Sequence, residues 1–169
     1  FKSMAGDANV FISDYSVKRW NMNCPTTVIH HSVDSKMFTP TDTEKTVDVL
    51  SVVNEFPERD YCCNYGGWQR VVSKFQAEEK IVDVIGNGNE AISNIRGGVA
   101  DGIEDLVSRY NGCKVFLNTS TISPVPTSLL EAMSCGCAVV STATCMIPEI
   151  IENGVNGFIS NDEEELKSY

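Results

Sequence analysis

Short apolar runs recur along the chain, and the segments between them carry the spacing of amphipathic helices. The runs predict strands over residues 9–12, 27–31, 47–53, 80–85, 114–117, 138–141 and 157–159. The intervening segments predict helices over residues 14–20, 67–76, 102–110, 128–134 and 147–152. The run Val47-Asp48-Val49-Leu50-Ser51-Val52-Val53 is almost continuously apolar, the mark of a strand buried on both faces of a parallel sheet. Strand and helix alternate, so the expected fold class is α/β, with a Rossmann-like, doubly wound parallel sheet. In such a sheet the ligand sits where loops leave the carboxyl ends of the strands.

Those loops narrow the search for chemistry. The stretch SPVPTSLLEAMSCGCAVVST, residues 123–142, holds one carboxylate, Glu131, among small, hydroxylic and apolar residues. Pro124 and Pro126 forbid a helix before them, and Gly136 falls where a C-cap glycine belongs, which puts Glu131 in the first turn of a helix. Two readings follow. In one, Ser128-x-x-Glu131 is a capping box that satisfies the free amides of that turn. In the other, the helix N-terminus and the hydroxyls of Ser123, Thr127 and Ser128 receive a phosphate. Glu131 then accepts from a vicinal diol, as the acidic residue of dinucleotide folds does from ribose. Diphosphate plus ribose means a nucleotide.

Two other loops carry weaker signals. The loop after residue 53, NEFPERDYCCNYGGW, contains Arg59, either a countercharge for a ligand or one half of a surface ion pair with Glu58 or Asp60. Gly86-x-Gly88 is half of a dinucleotide fingerprint that lacks the third glycine, and a plain turn is the better explanation. The polar segment Phe38-Thr39-Pro40-Thr41-Asp42-Thr43 reads as a boundary loop, which sets a short segment, residues 1–40, before a main domain, residues 41–169. The chain starts on Phe and ends on ELKSY, the beginning of a helix, so we expect a piece of a larger protein with its C-terminus cut short.

Charge and cysteine content exclude several classes. A net charge of −10 argues against nonspecific nucleic-acid binding and against an anionic membrane surface, so any phosphate must be held locally. No apolar run approaches the roughly 20 residues of a membrane-spanning helix. Seven cysteines, an odd number without a regular framework, fit reduced thiols in a cytoplasmic setting. Cys62-Cys63 and Cys135-x-Cys137 are poor zinc knuckles, and His30-His31 is distant in sequence, so no metal site is expected. The sequon at Asn118 ends a predicted buried strand and reads as chance.

The motifs taken together resemble a known family. VFLNTSTISPVPTSLLEAMSCGCAVVSTATCMIPEIIENGVNGFI is similar to the C-terminal signature of the GT-B retaining glycosyltransferases of the large family 4 type. LLEAMSCGCAVV, Pro148-Glu149-Ile150-Ile151 and Asn153-Gly154-x-x-Gly157-Phe158 fill its successive places. VFISDYSVKRW and TTVIHHSVDSKMFTP resemble the crossover that ends the family's N-terminal domain, so residues 1–40 match the end of that domain. The resemblance implies transfer of a hexose from a nucleotide diphosphate sugar, with a UDP or GDP donor and no cofactor or metal. It casts Glu131 as the glutamate that accepts from the ribose hydroxyls. Thr127 and Ser128 match the helix start that meets the diphosphate, and Gly86 and Gly88 match the turn beneath the base. The acceptor, whether glycan, lipid or protein, is not legible, and the catalytic residue of the family lies in the N-terminal domain.

The chain departs from the pattern at defined places. The family's first glutamate falls on Ser123, and its glycine-aromatic-glycine is Pro124-Val125-Pro126. The arginine of the family's loop falls near Glu55, which leaves Arg59 as the candidate diphosphate countercharge. These departures favour, as an alternative, a degenerate module that binds nucleotide without transfer. An NAD-type enzyme is disfavoured, because no G-x-G-x-x-G follows the first strand with an acid about 20 residues on.

Overall fold

The computed structural model describes residues 5–123 and 126–169; the Pro124-Val125 part of the predicted departure lies outside the described residues. The chain begins with β1 (Asn9–Phe11), α1 (Asp14–Trp20) and β2 (Thr26–Val28), and β1 and β2 pair in parallel as a small sheet of their own. Next come β3 (Val47–Val52), α2 (Asp60–Cys63), α3 (Tyr65–Ala77), β4 (Val82–Ile85), β5 (Arg96–Gly98) and α4 (Gly102–Asn111). The rest is β6 (Cys113–Asn118), α5 (Thr127–Ser134), β7 (Ala138–Ser141), α6 (Ile147–Ile150), β8 (Phe158–Ile159) and α7 (Glu163–Ser168).

Six strands among the described residues form one parallel sheet in the order β5-β4-β3-β6-β7-β8. The chain runs outward from β3 to β5, returns to lay β6 against the free side of β3, and runs outward the other way. β3 and β6 therefore flank the switch point, where an open α/β sheet leaves a crevice at its carboxyl edge. The doubly wound fold is as expected, and the period of two along each strand builds a core on either face. Leu50, Ile85, Phe116 and Val139 point to one face, where they pack with Tyr110, Leu129, Ala132 and Ile147. Val49, Val84, Leu117 and Val140 point to the other, against Trp68, Val71, Val72 and Leu166.

Several elements differ from expectation. β5 and α2 were not predicted. β5 is Arg96-Gly97-Gly98, wholly exposed and held by backbone pairing to Asp83–Ile85, so it has no apolar pattern to read. The predicted 27–31 strand is Thr26–Val28, and the predicted 147–152 helix stops at Ile150, with Ile151 extended. Phe38, placed in a boundary loop by its polar neighbours, is buried edge-on to Tyr110, and its carbonyl accepts from the Ser134 hydroxyl at 2.6 Å.

The P-E motif has a structural task. Glu149 accepts from the amides of Asp14 and Tyr15 at 3.1 and 2.6 Å, while the Ser13 side chain accepts from Ser16 and the Ser13 carbonyl from Val17. The amides of Asp14, Tyr15 and Ser16, which precede the first intrahelical bond, thus all have acceptors, two of them on a carboxylate 134 or 135 residues away. Glu149→Ala is expected to speed hydrogen exchange at Asp14 and Tyr15 about fivefold, the size of a lost helix cap, with exchange in β3 unchanged.

Candidate functional site

At the switch point the loops after β3 and β6 and the start of α5 enclose a cleft of about 310 Å³. Its lining includes Asn54, Arg59, Asn118, Ser123, Thr127, Ser128 and Glu131. Five predicted site residues, Arg59, Ser123, Thr127, Ser128 and Glu131, therefore meet in one space although they come from loops more than 60 residues apart. Gly86 lines a separate recess with Asn89, Ile92 and Gly98, and neither Gly86 nor Gly88 lines the main cleft.

The helix that carries Glu131 is not built as a capping box. α5 starts at Thr127, with Pro126 as an N-cap that offers no side-chain acceptor. Ser128 is thus the second helical residue, and Glu131 stands beyond the first turn rather than within it. The helix starts early because a proline suits the extended N-cap conformation and loses no amide there that the helix needs. The amides of Thr127 and Ser128 precede the first bond of α5, which Leu129 makes to the Pro126 carbonyl at 3.0 Å, and both residues line the cleft. At the other end, Gly136 is left-handed at φ +75°; its amide bonds Met133 and that of Cys137 bonds Ala132, a Schellman closure.

Glu131 is half-buried, and its partner is a tyrosine. The Tyr110 hydroxyl donates to Glu131 Oε2 at 2.7 Å. Burial first, and then the Glu131 charge, push the Tyr110 hydroxyl well above its ordinary pKa, so it stays a donor. Sequence reasoning missed this contact, because the two residues lie on different helices and 21 positions apart.

Arg59 caps the short helix α2 with its backbone. Among the described residues its guanidinium forms no ion pair, with Glu58 or with Asp60; Asp60 instead accepts from the Gly66 amide at 2.7 Å. Charge interaction with Cys63 raises the Arg59 pKa against a lowering by burial, so the group is a permanent cation at the rim of the cleft. Cys62 and Cys63, expected as loop thiols, are buried in α2 and also line the cleft. Burial pushes the Cys63 thiol up to about 11, so it is neutral at pH 7. All seven cysteines are free thiols.

Polar stitching fixes the two walls of the cleft to each other. The amides of Thr121 and Ile122 donate to the Cys62 carbonyl at 2.9 and 3.1 Å, and the Thr119 hydroxyl donates to the Cys63 carbonyl at 3.0 Å. Asn118 Nδ2 donates to Ser141 Oγ at 2.8 Å and is buried, so its sequon has structural work to do. On the β4 side, Asn89 donates to the Val53 and Gly86 carbonyls and accepts from the Phe56 amide, which ties the Gly86 turn to the loop that leads to Arg59. Among the described residues no group of three or more His, Cys, Asp and Glu is placed to hold a metal ion. No helix of those residues is long and apolar enough to cross a membrane.

A family model described as "Glycosyl transferases group 1" matches residues 68–168. No curated protein sequence matches the chain. Among solved structures, sucrose-phosphate synthase from Thermosynechococcus elongatus superposes with a TM-score of 0.77 at 17% identity, over 97% of this chain and 48% of its own. HepE of Anabaena in complex with UDP gives 0.74 at 17%, over 96% of this chain and 52% of its own. The pneumococcal O-GlcNAc transferase GtfA, in complex with UDP and GlcNAc, gives 0.72 at 18%, over 96% and 36%. The chain thus spans about half, or less, of the length of these proteins, and the likeness shows a shared GT-B glycosyltransferase fold.

Proposed function

Because the chain belongs to the group 1 glycosyl transferases, we propose that it is the donor-binding half of an enzyme that transfers a hexose from a nucleotide diphosphate sugar. In this reading residues 41–169 are the donor domain, and residues 1–40 close the preceding domain. The observation that carries it is the meeting of a cation, Arg59, the N-terminus of α5 and a carboxylate, Glu131, in one cleft at the switch point.

Each part has a place in the chemistry. As the bond from the anomeric carbon to the diphosphate oxygen breaks, its electron pair goes to the leaving diphosphate. The amides and hydroxyls of Thr127 and Ser128, with the positive end of α5, lie where that charge grows, and Arg59 adds a full positive charge. Such fixed charges stabilise a leaving group without a metal ion. Glu131, one turn deeper, accepts from the ribose hydroxyls. UDP is the favoured nucleotide, since HepE and GtfA share the fold and were solved with UDP. The acceptor site belongs to the rest of the parent protein, so the chain alone is expected to bind donor without transferring it.

Calorimetric titration with UDP, GDP, UDP-glucose, GDP-mannose and NADH tests this reading. UDP and UDP-glucose are expected to bind one per chain and NADH not at all; binding of NADH alone, or of no nucleotide by folded protein, overturns it. In the same assay Arg59→Ala is expected to weaken UDP about tenfold at low salt and uridine hardly at all, a difference that shrinks as salt screens the charge. A second reading, binding without transfer, is favoured by one observation: Ser123, not a carboxylate, lines the cleft where the resembled family places its first glutamate. UDP-sugar turnover by the full-length parent separates the two.

A further inference from the structure

We infer that Tyr110 is the positioning residue that aims Glu131 at the nucleoside sugar, an inference that rests on the reading of the cleft as a nucleotide diphosphate site. A carboxylate on a glutamate turns freely about its last torsion, so a diol that binds it must also arrest it. Here one oxygen is already arrested: Tyr110 holds Oε2 at 2.7 Å, and Oε1 has no partner among the described residues while the side chain lines the cleft. The remaining acceptor is thereby set in advance for a hydroxyl pair, which lowers the ordering cost of binding.

The tyrosine is itself held rigidly. It is fully buried, with its ring 6.2 Å from that of Phe38 and 5.9 Å from that of Phe116. Its carbonyl accepts from the thiols of Cys113 and Cys137 at 3.2 and 3.1 Å. The next residue, Asn111, donates to the Thr39 and Val107 carbonyls and accepts from the Thr41 amide, which locks the end of α4 to the chain before β3. Packing alone would be served by phenylalanine, whereas a buried hydroxyl costs free energy unless it finds an acceptor. Glu131, the acceptor it has, is the carboxylate of the cleft.

Tyr110→Phe removes only the hydroxyl, and UDP and 2′,3′-dideoxy-UDP then report on the ribose contact. The wild-type chain is expected to prefer UDP. In Tyr110→Phe UDP is expected to weaken about five- to tenfold, with dideoxy-UDP unchanged, so that the preference collapses. A folded Tyr110→Phe protein that keeps the wild-type preference overturns the positioning role and leaves the nucleotide site standing. A wild-type chain that binds no UDP overturns the site itself. A crystal structure of the wild-type chain with UDP decides the matter even if the variant does not fold. The ribose hydroxyls are expected on Oε1 with Oε2 still on Tyr110; hydroxyls that displace Tyr110 from Oε2 overturn the inference.

Discussion

Replacement of Glu131 by alanine is expected to weaken UDP binding by about 10- to 100-fold, the loss that follows when a charged hydrogen-bonding group is removed from a partner it meets directly. The same substitution strands the buried Tyr110 hydroxyl, whose acceptor it deletes, and costs about 1–3 kcal/mol of stability. The two losses have different causes and are separable. Glu131→Gln keeps an oxygen for Tyr110 while it removes the negative charge, so it recovers most of the stability and little of the affinity. Had Glu131 been a helix cap, alanine would cost about 1 kcal/mol of stability and leave UDP affinity alone. Calorimetry and thermal melts on the two variants, run side by side, give both numbers.

Replacement of Gly86 by alanine is expected to destabilise the chain by about 3 kcal/mol, roughly 10 °C in Tm, through backbone alone. Gly86 sits at φ +144°, and a Cβ there falls 2.2 Å from the Val53 carbonyl oxygen, too close for any rotamer to relieve. The strand end must move, and with it the loop from Asn54 to Arg59, because the Glu55 amide bonds the Asn87 carbonyl and the Arg59 amide bonds the Glu55 carbonyl. UDP affinity therefore falls as well, although Gly86 does not line the cleft. Gly154→Ala is the control: its φ is also positive, but nothing lies within 4 Å of the added atom. A loss at Gly86 no larger than at Gly154 would show that the turn yields freely and does not hold the Arg59 loop.

What the sequence made legible follows from the range of the forces involved. α1 and β7 begin and end where the pattern puts them, since a capping serine in one and a run of valines in the other are local signals. β5 escaped because its two glycines and one exposed arginine carry no apolar pattern; backbone pairing to β4 and the Arg96 to Asp83 ion pair at 3.4 Å place it. α2 escaped because four residues are too few to show a period. At the site, Arg59, Ser123, Thr127, Ser128 and Glu131 were readable as types suited to a nucleotide, and strand order then brought them together. Tyr110, Cys62 and Cys63 were not readable, because their places depend on how α4 and α2 pack across the switch point. The helix start at Thr127 rather than Ser128 is a one-residue difference, yet of the two readings of Glu131 it removes the capping box.

The most direct measurement is a crystal structure of this chain grown with saturating UDP. The diphosphate is expected at the amides of Thr127 and Ser128 with the Arg59 guanidinium against it, and the ribose hydroxyls on Glu131. UDP density anywhere else, or an empty cleft at saturating UDP, would contradict that expectation.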